Sequence, residues 1–469
     1  TLTYTGTAIS LGAYTMTLSG GGSLVSGGLT LNDPGSKLLL NSITVDSVST
    51  SADSSGLDVD ADSTVSSLSV AHITPVAIAD GISLSGAITV TAGSVKLDKT
   101  GTLASSISMS GGVLDADNSL TVSGTLTHTG NITIDVADTK TLTYTGTAIS
   151  LGANTLTLSG GGSLVSGGLT LNDVSSKLLL NLITVDSVST SVDNSLGLDV
   201  DADSTVTSLS VANITPIAIA GGSILSGAIT VTAGSIKLAD TGTLASNVSM
   251  SAGTILDADN SLTVSGTLTQ SGNITIDVLT DKTLTYSGTA ISLGATTLTL
   301  SGGGTFSNTN ALVLNDENSL LSLAGILTIG DVEGTVASNA GKGIQVVSSA
   351  TLGDYDLSAE SNLAIAANQT LAGQLNLQSN GELNISGDGG YTGGIALAGG
   401  KLNAVDDLTL AGTVSISASS EIIVPTGSTL VLNQVGGLSL GATTLTLSGG
   451  GNFQSVGLDL NDASSKLLL

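Results

Sequence analysis

Two short acidic segments carry the clearest candidate chemistry in this sequence. The string DVDAD occupies residues 58–62 and returns at residues 199–203. In a β-strand, residues i, i+2 and i+4 share one face, so each segment would present its carboxylates as one outward row. The rows are Asp58, Asp60 and Asp62 in the first copy and Asp199, Asp201 and Asp203 in the second.

Two interpretations of these rows stay open. Carboxylate oxygens are ligands that Ca²⁺ prefers, and a bound cation would relieve the repulsion between stacked acids. The chain contains neither the calcium-binding nonapeptide repeat nor an EF-hand loop. The rows are therefore either Ca²⁺ sites, with Ca²⁺ as the one candidate cofactor, or a solvated acidic face.

The two histidines are poor candidates for catalysis. His72 corresponds to Asn213 in a later copy of the same segment, and His128 corresponds to Gln270. If either histidine were a general base or a metal ligand, the second copy of its segment would lack that functional residue. We expect both histidines at exposed turn or strand positions.

The glutamates do not resemble a catalytic set either. All five lie in a part of the chain that departs from the other copies: Glu317, Glu333, Glu360, Glu382 and Glu421. Carboxylate-based cleavage of polysaccharides needs paired acids, usually helped by Arg or Lys, and this chain has no Arg. We predict that the protein is not an enzyme. A β-helix enzyme acting on polysaccharide stays as the alternative, together with an ice-binding or glycan-binding adhesin module.

The composition excludes several further classes of protein. The 469 residues include 62 Gly and no Cys or Trp, and the formal net charge is −27. Such a negative field opposes nucleic-acid binding, and the lack of Cys excludes disulfides and thiolate metal sites. No run of about 18 apolar residues is present, so we predict no membrane span.

Long internal repeats organise the chain. The segment TLTYTGTAISLGA starts at Thr1 and again at Thr141, and TLTYSGTAISLGA starts at Thr283. We divide the chain into repeat 1 (residues 1–140), its near copy repeat 2 (141–282), the divergent repeat 3 (283–429) and the start of repeat 4 (430–469). Because the chain opens on a repeat boundary and closes within a repeat, we expect it to be a window from a longer protein.

A shorter rhythm inside each repeat predicts the fold. Between Ile88 and Ile132, apolar pulses of period 2 recur about every 6.3 residues and are separated by Gly, Ser, Asn and Asp. We predict an all-β, right-handed parallel β-solenoid without a helical domain. Three short strands would form a coil of roughly 19 residues, giving about seven coils per long repeat and a rod of about 110 Å at ~4.8 Å per coil. We expect the interior to be too narrow for Trp or Phe. The alternative is a set of β-sandwich domains.

The pulses resemble a known group of proteins. The segment LTVSGTLTHTGNITID (residues 120–135) looks like secreted bacterial β-helix proteins: autotransporter passengers, filamentous-haemagglutinin-like adhesins and giant surface filament proteins. The string YTGG (391–394), followed by GGKL (399–402), is similar to the autotransporter-associated β-strand repeat. This resemblance implies an extracellular or cell-surface, structural or adhesive role.

Together these observations predict a structural protein. The solenoid would act as a filament, stalk or sheath subunit, or as the shaft of a large surface adhesin. We expect copies to associate end to end or side by side into fibres, with a cell-surface glycan as a further candidate partner. Repeat 3, with its Glu residues, Tyr355 and Tyr391, is where we expect a contact surface.

Overall fold

A computed structural model describes residues 1–325 and 327–469, and within these ranges every regular element is a β-strand. The strands join in parallel ladders, in which a strand pairs with its counterpart on the next coil of the chain. The chain is a parallel β-solenoid of about 23 coils. The predicted fold class is thus confirmed, while the right-handed sense stays a prediction. Two compact units, Thr1–Thr230 and Val231–Leu469, are described separately below.

Each coil contributes one strand to a first ladder, here called sheet 1, and two strands to a second ladder, called sheet 2. In some coils the two strands of sheet 2 merge into one long bent strand. Thr44–Thr50, for example, pairs with Ser23–Val25 through its first residues and with Leu29–Leu31 through its last. The result is the three-strand coil that the spacing of the pulses predicts.

The first unit builds both sheets from short strands. Its sheet 1 strands are Thr15–Ser19, Lys37–Asn41, Gly56–Val59, Ile73–Ile78, Ser94–Leu97, Val113–Ala116, Ile132–Val136, Thr155–Ser159, Lys177–Asn181, Gly197–Ala202 and Thr215–Ile219. Its sheet 2 strands are Leu2–Thr3, Ile9–Ser10, Ser23–Val25, Leu29–Leu31, Thr44–Thr50, Ser63–Val70, Ser83–Val90, Thr102–Leu103, Ser106–Met109, Leu120–Val122, Leu126–His128, Thr141–Tyr144, Ile149–Ser150, Ser163–Val165, Leu169–Leu171, Thr184–Thr190, Ser204–Val211 and Ile224–Val231, the last of which ends one residue past the unit.

The second unit repeats the arrangement. Its sheet 1 strands are Ser235–Leu238, Ile255–Ala258, Ile274–Val278, Thr297–Ser301, Leu320–Leu323, Gly343–Val346, Glu360–Ile365, Glu382–Ser386, Lys401–Ala404, Ser420–Ile423, Thr444–Ser448 and Lys466–Leu468. Its other strands are Thr243–Leu244, Asn247–Met250, Leu262–Val264, Leu268–Gln270, Thr283–Tyr286, Ile291–Ser292, Thr305–Asn308, Leu312–Leu314, Leu327–Ile329, Val332–Gly334, Ala350–Leu357, Thr370–Gln378, Gly390–Tyr391, Gly394–Ala398, Leu408–Leu410, Val414–Ala418, Thr429–Leu432, Leu438–Ser439, Asn452–Ser455 and Leu458–Asp459.

Coil length varies, but the number of coils per repeat does not. The register pairs Lys37 with Gly56 across a short coil and Ser420 with Leu445 across a longer one. Counting sheet 1 strands, seven steps lead from Thr15–Ser19 to its copy Thr155–Ser159. Seven more lead to Thr297–Ser301 and a further seven to Thr444–Ser448. The predicted seven coils per repeat are confirmed, even in divergent repeat 3.

The core is a set of apolar columns stacked from coil to coil. Leu40 pairs in register with Val59, which pairs with Ile78, and all three side chains are buried. Alternation of buried and outward residues along each strand places every second side chain in such a column. At roughly 25 cal/mol per Å² of apolar surface, these columns supply the main stabilising term.

The expectation that the interior excludes Phe is wrong. Phe306 is 1% exposed and packs against Tyr286, with ring centroids 6.2 Å apart and planes inclined by 20°. The column accommodates the ring because Phe306 follows Leu284 in register rather than another aromatic residue.

The glycine runs at residues 160–162 and 302–304 lie at corners where coils approach closely. Gly160 has a φ of 107°, and a Cβ there would lie 2.3 Å from the carbonyl oxygen of Val136 on the preceding coil. A side chain is therefore excluded by both conformation and space. In the part of the chain that the structure describes, no helix is long and apolar enough to cross a membrane.

Candidate functional site

The first acidic row is divided between a strand and the corner that follows it. Asp58 lies on the outward face of Gly56–Val59, where Val59 points into the core as expected. The strand ends at Val59, so Asp60 and Asp62 belong to the corner and do not continue a row on the same strand face. The Asp62 carboxylate instead accepts a hydrogen bond of 2.8 Å from the backbone N–H of Ser83, one coil further on.

Lysines neutralise the most enclosed carboxylate of this row. Lys37 Nζ lies 3.1 Å from one Asp58 carboxylate oxygen, and Lys99 Nζ lies 2.7 Å from the other. Burial alone would raise the pKa of Asp58, but hydrogen bonds from Lys99 and Lys37 outweigh it and hold the pKa below its ordinary value. Asp60 lies 3.9 Å from Lys99. The cluster thus already contains its own cations.

The second row differs from the first by one lysine. Lys177 Nζ lies 2.6 Å from the Asp199 carboxylate, but the position equivalent to Lys99 holds Asp240. The strand Gly197–Ala202 extends past Asp201 with a register irregularity, and Asp203 accepts a 2.9 Å hydrogen bond from the N–H of Ile224. Among residues 1–325 and 327–469, no group of three or more His, Cys, Asp or Glu side chains is arranged to hold a metal ion. Calcium binding stays a prediction.

Further Lys–Asp pairs connect neighbouring coils along sheet 1. Lys96 lies 3.5 Å from Asp115 and 2.7 Å from Asp117, and repeat 2 has the same arrangement around Lys237. Burial raises the pKa of Asp115; Lys96 opposes this shift, while the carboxylates of Asp117 and Asp135 add to it. These pairs were not among the residues predicted from the sequence. A signal was present, because each Lys precedes its acid in the sequence by about one coil, as Lys96 precedes Asp115.

Asparagine side chains close the corners on the other side of the coil. Gly12 donates its backbone N–H to Asn32 Oδ1 at 2.8 Å, and Gly152 donates to Asn172 in the same way. The contact recurs in repeats 3 and 4 at Asn315 and Asn461. The Asn-Asp pairs at 32–33, 172–173, 315–316 and 461–462 therefore provide turn chemistry.

The placement of the two histidines differs from the prediction. Both are half-buried rather than exposed, which corrects the expectation from sequence. His128 Nδ1 lies 3.1 Å from the carbonyl oxygen of Gly130, and its buried Nε2 has no hydrogen-bond partner among the described residues.

Hydroxyl groups form a ladder on sheet 2 of the second unit. Thr283, Thr305, Thr328 and Thr351 occupy one register column on four successive coils and line a cavity of about 350 Å³. In the first unit, Thr89 shares a column with Ser108 and Thr127, which makes a mixed Thr/Ser ladder.

Repeat 3 carries a different polar surface on sheet 1, here called the amide ladder: Asn362, Asn384 and Asn403. The three residues stand in one register column on successive coils. Asn403 Nδ2 donates to Asn384 Oδ1 at 2.9 Å, and Asn384 Nδ2 donates to Asn362 Oδ1 at 3.2 Å. The ladder borders a cavity of about 460 Å³.

Glutamates flank the amide ladder without forming a compact acidic set. Glu360 pairs in register with Glu382, and Glu360 accepts a 2.9 Å hydrogen bond from Asn384. Glu421 lies 3.4 Å from Lys401, one coil away. Glu317 and Glu333 lie on earlier coils.

The tyrosines expected at a contact surface lie inside the coil. Tyr355 and Tyr391 are both 0% exposed. Tyr391 donates its hydroxyl to the carbonyl oxygen of Gly373 at 2.9 Å, and Tyr355 shares a 2.5 Å hydrogen bond with Ser361. The prediction that they mark a contact surface is wrong. Period-2 alternation places these positions inward, and a buried hydrogen bond accommodates each hydroxyl.

Comparisons with known proteins add no identity to this geometry. No family model, no curated protein and no solved structure matches the chain. The β-solenoid fold and its side-chain ladders therefore carry the functional proposal.

Proposed function

We propose that this chain is an extracellular structural repeat protein whose β-solenoid serves as a filament, stalk or sheath subunit, or as the shaft of a large surface adhesin. One observation carries the proposal. Repeat 3 diverges in sequence, and the chain from Thr297 to Thr444 is longer than the chain from Thr155 to Thr297, yet the number of coils stays at seven. Retaining a coil count while side chains change favours a role in which length matters.

The mechanism is mechanical. Successive coils are joined by parallel backbone hydrogen bonds, by apolar columns and by side chains that reach across one coil, such as Lys37 to Asp58 and Asn32 to Gly12. A net hydrogen bond contributes about 1 kcal/mol and an exposed ion pair less than about 1 kcal/mol. Backbone hydrogen bonds and apolar contacts recur from coil to coil, and many weak contacts of this kind resist deformation together.

Location and assembly belong to the same proposal. The resemblance of residues 120–135 to secreted bacterial β-helix proteins supports a cell-surface location. The formal charge of −27 opposes close lateral packing at low ionic strength. Self-association, end to end or side by side, should therefore strengthen with added salt. The proposed role is structural rather than enzymatic, and alanine at each of the five Glu positions should leave it intact.

The experiment combines location with length. Cells that produce the native protein are treated with an external protease, and the chain should be cleaved while a cytoplasmic marker survives. Purified chain is then imaged beside a variant that lacks residues 141–282, which is one long repeat. Seven coils at ~4.8 Å predict that the variant is shorter by about 34 Å.

Two results would overturn this proposal. One is protection of the chain from external protease until the cells are lysed. The other is a deletion variant that unfolds or keeps the original length, since a spacer built from interchangeable repeats should tolerate the loss of a whole one.

A further inference from the structure

The amide ladder occupies positions that carry an ion pair in repeat 1. Asn384 and Asn403 stand at the same places in their strands and coils as Lys96 and Asp115, and Asn362 stands where Pro75 does. The backbone register is the same in both repeats. Neutral groups that both donate and accept hydrogen bonds have thus replaced a charged pair, and they stand beside a cavity.

The hydrogen bonds of this ladder all run in one direction. Asn403 donates to Asn384, Asn384 donates to Asn362, and Asn362 Nδ2 donates to the carbonyl oxygen of Asn339 at 2.9 Å. Bonds aligned in this way polarise one another, which strengthens the acceptor at the open end. That acceptor is Asn403 Oδ1.

This terminal oxygen lacks a donor. It is buried and accepts no hydrogen bond from residues 1–325 or 327–469. The next residue in the register column is Ile423, whose side chain offers no donor. A buried polar atom without a partner calls for an explanation, and a donor bound in the adjoining groove supplies one when the Asn403 amide turns toward it.

The surroundings define what that group must be. The cavity of about 460 Å³ is lined by Lys342, Gln345, Asn362, Glu382, Asn384 and Asn403, among others. The cavity is lined by two carboxylates, Glu360 and Glu382, and by one ammonium group, Lys342. Their charges sum to −1, so an anionic ligand is repelled. Asn403 Oδ1 and the Glu382 carboxylate are both acceptors, so the ligand must offer hydrogen-bond donors.

We propose that this groove, beside sheet 1 in repeat 3, binds a neutral glycan that lies along the direction of coil stacking. Sugar hydroxyls donate to Asn403 Oδ1 and to the Glu382 carboxylate, and they accept from Lys342 and Gln345. The ladder offers one amide per coil, about every 4.8 Å, which suits an extended polymer with one sugar per coil. The proposal does not depend on the structural role, because it concerns one groove and not the coil count.

The test is native gel electrophoresis of the full chain through gels that contain a dissolved polysaccharide. Dextran, laminarin, galactomannan and hydroxyethyl cellulose are the neutral probes, and alginate is the anionic probe. We expect at least one neutral probe to slow the chain, with a dissociation constant of about 1 mM because no aromatic ring lines the described groove. Alginate should have no effect.

Variants locate the binding. Asn384→Ala should weaken retardation at least tenfold, and Gln345→Ala, at an exposed position, at least threefold. Ile423→Asn gives Asn403 an internal donor, so it should weaken binding while the melting temperature stays unchanged or rises. Asn376→Ala, an amide on sheet 2 outside the groove, is the matched control and should bind like the parent chain.

Three outcomes overturn the proposal: no retardation by any neutral probe, retardation by alginate alone, or equal retardation of the Asn384, Gln345, Ile423 and Asn376 variants. None of them bears on protease accessibility or on the length of the deletion variant, so failure here is distinguishable from failure of the structural role.

Discussion

The strand that opens the third coil reads GLDV at Gly56–Val59 in repeat 1 and GIQV at Gly343–Val346 in repeat 3. The glycine and both inward aliphatic positions are kept, whereas the outward residue changes from Asp58 to Gln345. The same contrast extends over the next coils, where repeat 1 has Lys96 and Asp115 and repeat 3 has asparagines.

This contrast separates what the solenoid requires from what it tolerates. Inward positions and corner glycines are constrained by neighbours one coil away. Outward positions of sheet 1 need only a partner across the coil, and either a charged pair or an amide pair meets that need. Substitutions at the constrained positions should therefore have the largest effects, and they should be equal in the two repeats.

Alanine at the shared glycine should be the most damaging change. Gly56 has a φ of 74°, and a Cβ would lie 1.8 Å from the Pro75 carbonyl oxygen; at Gly343 φ is 92° and the Asn362 carbonyl oxygen is 2.3 Å away. Backbone cannot move aside cheaply, so Gly56→Ala and Gly343→Ala should each lower the free energy of unfolding by at least about 4 kcal/mol. Urea denaturation measures the loss.

Gly390→Ala is the control for both. A Cβ there would lie 3.7 Å from Thr370 Cγ2, which is an ordinary contact. Its effect should be below about 1 kcal/mol. A mild effect of Gly343→Ala beside a severe one of Gly56→Ala would show that the two repeats do not share one backbone constraint.

The buried ring of repeat 3 gives the next largest effect. Phe306 stands at the position that Leu164 holds in repeat 2. Phe306→Ala leaves a cavity against Tyr286 and should cost about 3–5 kcal/mol, while Phe306→Leu restores the residue of the other repeat and should cost less than about 1.5 kcal/mol. Thermal unfolding of both variants checks the order. Equal losses would mean that repeat 3 has widened its core around the ring.

The amide ladder should matter less than the core. Asn384→Ala removes bonds to Glu360, Asn362 and Asn403 and leaves the half-buried Asn403 amide N–H without its acceptor, which should cost about 2 kcal/mol. Lys96→Ala, at the matching position of repeat 1, should cost less than about 1 kcal/mol because its ion pairs are partly exposed. Hydrogen exchange of the two neighbouring strands reports each loss locally. A larger loss in repeat 1 would contradict the ranking.

Much of this contrast could be anticipated from sequence, because period-2 pulses and duplicated segments fix which residues are inward and how many coils fit a repeat. The aromatic residues could not be placed this way. The interior volume at Phe306 depends on how the corners of two adjacent coils are shaped, and the average spacing of the pulses does not carry that information.

The residues at which strands end could not be predicted from the sequence either. The acidic segment DVDAD continues the alternating pattern, yet the chain turns after Val59, so Asp60 and Asp62 point from a corner. Partners one coil away decide this outcome, since Asp62 closes onto the backbone of Ser83. Contacts between residues on neighbouring coils emerge only when the register of the coils is known.

Lowering the pH should change the stability of repeat 1 but not of repeat 3, by a smaller amount than the substitutions above. Asp58 has a lowered pKa, so its ion pairs stabilise the fold above the unfolded value of about 3.9 and are lost as the pH falls through the folded-state pKa. Burial raises the pKa of Asp115, so its charged form costs stability that is regained as the pH falls through that raised pKa. Repeat 3 has Gln345 and Asn403 at these positions and should show neither change.

The measurement is hydrogen exchange of the sheet 1 strands from pH 7 to pH 3, corrected for intrinsic exchange. Asp115→Asn should remove the gain on mild acidification and Asp58→Asn the loss at lower pH, each by less than about 1 kcal/mol. Identical pH profiles in the parent chain and both variants would assign the acid response to other groups.

Calcium binding should give the smallest effect, and Ca²⁺ should bind more tightly to the acidic row of repeat 2 than to that of repeat 1. Lys99 and Lys37 already compensate Asp58, whereas Asp199 has Lys177 alone and Asp240 stands in place of Lys99. A cation therefore gains more at Asp199, Asp201 and Asp203 than at Asp58, Asp60 and Asp62. We expect dissociation constants of about 10⁻³ M or weaker by isothermal titration calorimetry.

Lys99→Asp reproduces the second copy within the first and should strengthen Ca²⁺ binding there, while Asp199→Asn should weaken Ca²⁺ binding in the second copy. If Lys99→Asp leaves the titration unchanged, the lysines do not control cation access, and the rows serve as coil-to-coil contacts in both repeats.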